Sequence, residues 1–219
     1  MTSKLWLKPL GSGIQNRPPA NISNASFDSI LAFECQLAKY TGAPYAIMTD
    51  CCTHAIELCL RYDNVQETEF TPYTYISVPM LMHKLDIKYN YVLQQWSGEY
   101  HFRRTRIWDS ARLCKPGMYR TGMMQCLSFG NGKPLEVGHG GAILLDDKRA
   151  YETIVKQRYD GRNLSQPWGS QKTISVGYHY KPSIEDAVHA ANLLAANNLK
   201  HTQEDWKKYP DCRQITIME

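Results

Sequence analysis

The chain has 219 residues, 43% apolar and 21% charged, with a formal net charge of +4. These proportions argue against disorder, and the length fits one domain, or one large and one very small, with a substantial buried core. Seven cysteines, an odd number without regular spacing, exclude a disulfide framework and fit reduced thiols in a cytoplasmic protein. No positive stretch precedes an apolar one at the N-terminus, and no apolar run spans a bilayer, so neither a leader nor a membrane partner is expected.

Residues 1–26 carry Gly, Pro, Asn and Ser without period and are expected as an irregular arm. Ser26 is placed to cap a helix with Phe27, Ile30, Leu31, Leu37 and Ala38 as its apolar residues, and Gly42 suits its end. Ala43 to Met48 is short and apolar, a buried strand. A second helix follows through Ala55, Ile56, Leu58, Cys59 and Leu60. Strand, small-residue turn and helix start at Thr49–Thr53 is a geometry that offers backbone N–H groups to an anion. Phe70 to Ser77 and Ile87 to Val92 are rich in Tyr, Thr, Ile and Val and are expected as strands.

Arg106 to Trp108, Gln125 to Phe129 and Gly141 to Leu145 are further strands. Asp146 or Asp147 caps a helix reaching about Tyr159, before Gly161. Ser183 and Asp186 have capping-box spacing ahead of an apolar face made by Ile184, Ala187, Val188, Ala191 and Leu194. Residues 201–219 are polar, contain Pro210, and are expected as a loose tail. Strands mixed with helices predict an α/β layered domain over residues 27–200, with ligands at strand ends.

Two strand ends carry the candidate chemistry. One closes on Asp109-Ser110-Ala111-Arg112. The other runs through Ser128-Phe129-Gly130-Asn131-Gly132 into Lys133, and Gly140-Gly141 follows. An exposed lysine in a glycine-rich loop is ordinarily a solvated cation, and an aspartate at a strand end ordinarily a turn residue. The histidines His54, His83, His139 and His189 have no metal-ligand spacing, so no metal is expected. Cys51-Cys52 lacks the two-residue gap of a redox or zinc motif. A basic run from His101 to Arg120 is read first as a solvated face. No nucleic-acid motif accompanies it, so nucleic-acid binding is not expected.

Taken in order, these motifs resemble the DegT/DnrJ/EryC1/StrS sugar aminotransferases. Phe33 to Gly42 resembles the family's first helix. Cys51-Cys52-Thr53-His54-Ala55 stands where the family has Ser-Gly-Thr-x-Ala, and Thr71 to Tyr75 resembles its Pro-x-x-Thr-aromatic loop. Asp109 to Arg112 resembles Asp-x-Ala-Gln/His, and Ser128 to Lys133 resembles Ser-Phe-x-x-x-Lys. Gly177-Tyr178-His179-Tyr180-Lys181 stands where the family has Gly-Tyr-Asn-Tyr-Arg.

The resemblance implies the three-layer large domain of a fold-type-I pyridoxal-phosphate transferase, with a mostly parallel sheet. Set against the family, the chain is expected to lack the C-terminal small domain, and the segment between Tyr75 and Asp109 is short. It implies pyridoxal 5'-phosphate on Lys133 as the catalytic lysine, with Asp109 at the ring nitrogen and Tyr75 stacked on the ring. Cys52, Thr53 and Ser128 would bind the phosphate. Arg112 would lie at the ring hydroxyl or grip a substrate carboxylate, and His179 would reach a neighbouring subunit's site. The implied reaction moves an amino group from an amino acid, glutamate foremost, to a keto group of a nucleotide-linked sugar, in a homodimer with shared sites. A lyase or decarboxylase on the same cofactor, acting on a modified nucleotide, and a non-catalytic relic that binds cofactor or sugar nucleotide are the alternatives. The shortened form resembles proteins of tailed bacteriophages, which implies a host cytoplasm.

Overall fold

The computed structural model describes residues 28–200 and 204–218. The arm expected over residues 1–26, with the Ser26 cap, lies outside the described residues. Helix α1 (Asp28–Thr41) leads through Gly42, whose φ of +79° favours glycine, into strand β1 (Tyr45–Thr49). Helix α2 (Cys52–Tyr62), strand β2 (Glu67–Phe70), helix α3 (Ser77–Lys84) and strand β3 (Lys88–Tyr91) follow. Strands β4 (Tyr100–His101), β5 (Ile107–Asp109), β6 (Met124–Ser128) and β7 (Gly141–Leu145) complete the sheets. Helices α4 (Lys148–Gln157) and α5 (Ile184–Ala195) follow, and two single-turn 3-10 helices at Trp206–Lys208 and Cys212–Gln214 come last.

The main sheet has the order β1-β7-β6-β5-β4, and β2 and β3 form a separate parallel pair. A mostly parallel sheet was expected; this one is mixed, with β5–β6 as its parallel pairing. The consequence is nevertheless the one that matters for a ligand. Because β7 runs antiparallel to both its neighbours, β1, β5 and β6 share a direction. Their C-terminal ends therefore open on one end of the sheet, as do the starts of β7 and β4.

Alternation along the strands sends side chains to two cores. Ile143 and Leu145 of β7 and Cys126 of β6 pack with α2, α3 and α4 on one face. Ala142 and Leu144 of β7 and Leu127 of β6 pack with α1 and α5 on the other. This is the expected three-layer arrangement. Each fully buried Leu, Ile or Phe contributes roughly 1.5–3 kcal/mol. Asp147 caps α4 by accepting from the Ala150 N–H, and Ser183 caps α5 by accepting from that of Asp186, both as expected.

Two segments depart from expectation. The strand expected over Phe70–Ser77 ends at Phe70, and Ser77 opens helix α3. The segment from Glu204, expected to be loose, packs onto the body of the domain. Cys212 is 4% exposed, its N–H donates to the Pro72 carbonyl at 3.0 Å, and the Trp206 ring lies 4.8 Å from that of Tyr73. Among the described residues, no helix is long and apolar enough to cross a membrane.

Candidate active site

The residues singled out from the sequence lie around the shared end of β1, β5 and β6, His179 excepted. Asp109 is the last residue of β5, and its register partner on β6 is Cys126. Ser128 closes β6 and leads into the lysine loop. That loop is pinned at its base by the Phe129 carbonyl, which accepts from the Val137 and Gly138 N–H groups at 2.9 Å each. Gly132 has a φ of +71°, so the turn that delivers Lys133 favours glycine one residue before it.

Lys133, Asp109, Tyr75 and Arg112 line one small cavity, with Thr74, Trp96, Gly98, Tyr100 and Tyr209. Asp109 is 7% exposed. Its Oδ2 accepts from the Tyr100 hydroxyl at 2.8 Å and its Oδ1 from the Ala111 N–H at 2.9 Å. Burial pushes the Asp109 carboxyl above the ordinary range, against the pull of Tyr100, Ala111, Lys133 and Arg112. Burial is also the main cause that lowers the Lys133 amine below the ordinary lysine range; the Arg112 charge adds to it and Asp109 opposes it. A buried carboxylate with raised proton affinity favours a cationic partner, and an amine held low is more often neutral and nucleophilic.

The start of α2 adjoins this cavity. Burial pushes the Cys52 thiol well up; the Asp109 charge adds to that and the Lys133 charge opposes it. Gly141 permits the approach of β7 to this helix start, since a Cβ there would lie 2.5 Å from the Cys52 nitrogen. The helix cap is Cys51, whose sulfur accepts from the His54 N–H at 3.4 Å. Thr53 Oγ1 lies 2.8 Å from Ser77 Oγ, so the first turns of α2 and α3 meet through two hydroxyls. Asp50, a carboxylate beside the expected phosphate position, is engaged by His54 Nδ1 at 2.7 and 2.9 Å. With Cys51 they place three ligand-type atoms within 4.8 Å of one another.

Tyr75 stands at the cavity rim, 65% exposed. Arg112 is held on three sides. Its Nη1 donates to the Gly132 carbonyl at 2.7 Å, its Nε to the Tyr209 hydroxyl at 2.8 Å, and its Nη2 meets Glu204 Oε2 at 2.9 Å. His179 does not join the cavity: it is exposed and hydrogen-bonded to Asp160 at 2.9 Å. The basic run is ion-paired throughout much of its length. Arg103 and Arg104 meet Glu69, Arg106 meets Asp63 and Asp147, and Arg120 meets Glu99.

Sequence reasoning missed Tyr100, Trp96, Glu204 and Tyr209. Tyr100 alone had a local signal, a strand position that comes to lie directly opposite Asp109.

Several solved structures share this architecture. The chain superposes on 3-amino-5-hydroxybenzoic acid synthase with a TM-score of 0.65 at 22% identity, covering 78% of this chain and 56% of that one. For the sugar aminotransferase CalS13 from Micromonospora echinospora the TM-score is 0.64 at 15% identity, over 81% and 63% of the two chains. For a GDP-4-keto-6-deoxymannose-3-dehydratase with bound GDP-perosamine it is 0.63 at 14% identity, over 78% and 61%. At these identities the likeness establishes the fold, which a synthase, an aminotransferase and a dehydratase here hold in common. The chain spans less than two thirds of the length of each. No curated protein sequence matches it. The DegT/DnrJ/EryC1/StrS aminotransferase family model matches residues 22–92 and 117–209, skipping the stretch that holds Asp109 and Arg112. With well over half of its length matched, the chain belongs to the DegT/DnrJ/EryC1/StrS aminotransferase family.

Proposed function

We propose that the chain binds pyridoxal 5'-phosphate on Lys133 and transfers an amino group from an amino acid, glutamate foremost, to a keto group of a nucleotide-linked sugar. The observation that carries this reading is the pairing of Asp109 and Lys133 in one cavity, a buried carboxylate beside an amine of lowered basicity. That donor set fits the cofactor at its two reactive positions.

When bound, the cofactor supplies the electron sink that stabilises charge on the donor carbon. Asp109 holds the proton of the ring nitrogen, and Tyr100 and the Ala111 N–H keep its carboxylate in place. Lys133 would hold the cofactor through its amine, whose proton affinity burial lowers, and the same nitrogen would carry protons to and from the donor carbon. Tyr75 offers a ring face at the rim. The phosphate is assigned to the start of α2 with Cys52 and Thr53, and to Ser128 at the end of β6.

A second copy of the chain belongs to this proposal. Trp168, Ile174 and Val176 are 69, 44 and 79% exposed in the segment between Gly161 and Gly177. Clustered exposed apolar side chains favour an interface, and His179 follows directly after it.

The test is titration with pyridoxal phosphate, followed by borohydride reduction and mapping of the modified residue. A visible absorption band and a modified Lys133 are expected in the wild type, with neither in Lys133→Ala. Loss of the band on adding glutamate, with release of 2-oxoglutarate, is expected of a transaminase. An absent wild-type band, or one that survives Lys133→Ala, overturns the assignment. A stable band that glutamate leaves unchanged favours the non-catalytic alternative.

A further inference from the structure

We propose that Arg112 is the carboxylate-binding residue of this cavity, taking the α-carboxylate of an amino-acid substrate in place of the Glu204 carboxylate that it holds here. The inference deepens the transaminase reading and rests on it for the identity of the ligand.

Arg112 is not a surface cation. Its side chain is 18% exposed and Glu204's is 19% exposed. Two of the three guanidinium nitrogens are committed to fixed partners, the Gly132 carbonyl one residue before Lys133 and the Tyr209 hydroxyl. This frame orients the third, Nη2, toward a carboxylate oxygen, and a carboxylate is what it meets at 2.9 Å. A planar guanidinium with a preset direction is the side chain best suited to that group.

The position suits an amino acid. One carbon separates its amine from its carboxylate, so a carboxylate subsite must lie beside the reacting nitrogen. Arg112 and Glu204 are both close enough for their charges to act on the Lys133 amine, in opposite directions. Glu204 is seated by its own backbone, whose carbonyl accepts from the Gly98 N–H at 3.0 Å at the cavity wall. Its other carboxylate oxygen meets Lys208 Nζ at 3.1 Å, so it has an alternative cation when displaced. Glu204 thus marks where an incoming carboxylate binds and competes with it for Arg112.

The experiment is calorimetric titration of the full chain with succinate, with and without saturating pyridoxal phosphate, using uncharged succinamide as control. Glu204→Gln removes the competitor and is expected to tighten succinate roughly tenfold or more. Arg112→Gln is expected to abolish binding, and Arg112→Lys to weaken it. No tightening in Glu204→Gln, or wild-type affinity in Arg112→Gln, overturns the proposal. If Arg112→Gln fails to fold, Glu204→Gln decides alone, since unchanged affinity there is sufficient to reject it. The two readings fail separately. Succinate tightening without a cofactor band on Lys133 removes the transaminase and leaves the subsite; a band without tightening does the reverse.

Discussion

Tyr100 on β4 donates its hydroxyl to Asp109 on β5 at 2.8 Å, and the two residues are direct cross-strand partners. The same hydroxyl lies 2.5 Å from Thr74 Oγ1, on the loop that also carries Tyr75. One phenol therefore ties the rim of the cavity to the carboxylate at its base. Tyr100→Phe keeps the ring and deletes the link. Its hydrogen bond lowers the Asp109 carboxyl, so the substitution is expected to raise that carboxyl further. A stability loss of about 1–3 kcal/mol is also expected, from buried partners left unpaired. Infrared titration of the carboxyl band and denaturant unfolding measure the two effects. An unmoved Asp109 titration would remove Tyr100 from the site's electrostatics.

Lys133 should stand apart from the other lysines in reactivity. Burial, and then the Arg112 charge, hold its amine below the ordinary range, so its neutral fraction at mildly alkaline pH exceeds that of a solvated lysine. Acylation at limiting reagent, with the sites mapped by mass spectrometry, is expected to report a lower midpoint pH for Lys133. Arg112→Gln removes a neighbouring cation and is expected to shift that midpoint upward. A downward shift, or none, would mean that Arg112 does not act on the amine.

The parts of this molecule legible in the sequence are those set locally. Ser183 and Asp147 announce their helices because an N-cap acts within one turn. The pairing of Asp109 with Lys133 comes from the resemblance of their motifs to the family's; what is legible locally is that each lies at or just past the end of a short strand. The lost strand after Phe70 has a local cause read wrongly. Thr71 Oγ1 accepts from the Tyr73 N–H at 3.2 Å and turns the chain, despite the β-type composition. Pro79, which looks like a helix breaker, falls in the first turn of α3, where its missing N–H costs nothing. Glu204, Trp206, Tyr209 and Cys212 were not legible. Their partners, such as Arg112, Trp96 and Thr74, lie far back in the chain, and a polar segment with a few anchors has the composition of a loose one.

The pair at the start of α2 carries a pH dependence. Burial alone would lower the His54 ring, but hydrogen bonds to Asp50 and Cys51 and their charges raise it to about 9. The folded-state value thus lies above that of the unfolded chain, near 6.5. Stabilisation from the protonated pair is fully present below about pH 6.5 and is lost as pH rises through about 9. Because Tyr180 stacks on the His54 ring at 3.7 Å, loosening is expected to reach the 178–180 segment, whose Tyr180 carbonyl accepts from the Asp50 N–H. NMR titration of His54 is expected to give a midpoint near 9 in the wild type and a lower one in Asp50→Asn. Equal midpoints would dissolve the link.

Glu34 and Arg158 form a buried ion pair, 3 and 1% exposed, against the edge strand β1. Glu34 Oε1 accepts from the Met48 N–H at 2.7 Å, and Arg158 Nη1 donates to the Met48 carbonyl at 2.6 Å. The pair thereby satisfies both backbone groups of a residue that has a neighbouring strand on one side only. It is not fully satisfied itself: among the described residues, Glu34 Oε2 and Arg158 Nε and Nη2 are buried without partners. Arg158→Met is expected to cost about 3–5 kcal/mol, because it strands a buried carboxylate and the Met48 carbonyl. For an ordinary buried pair, replacing the second partner by an apolar residue recovers most of that loss. Here Glu34→Leu added to Arg158→Met removes the stranded charge but leaves both the N–H and the carbonyl of Met48 unpaired, a smaller penalty than a buried charge. Denaturant unfolding is therefore expected to place the double variant between the single variant and the wild type. A double variant as stable as the wild type would show that the sheet edge does not depend on the pair.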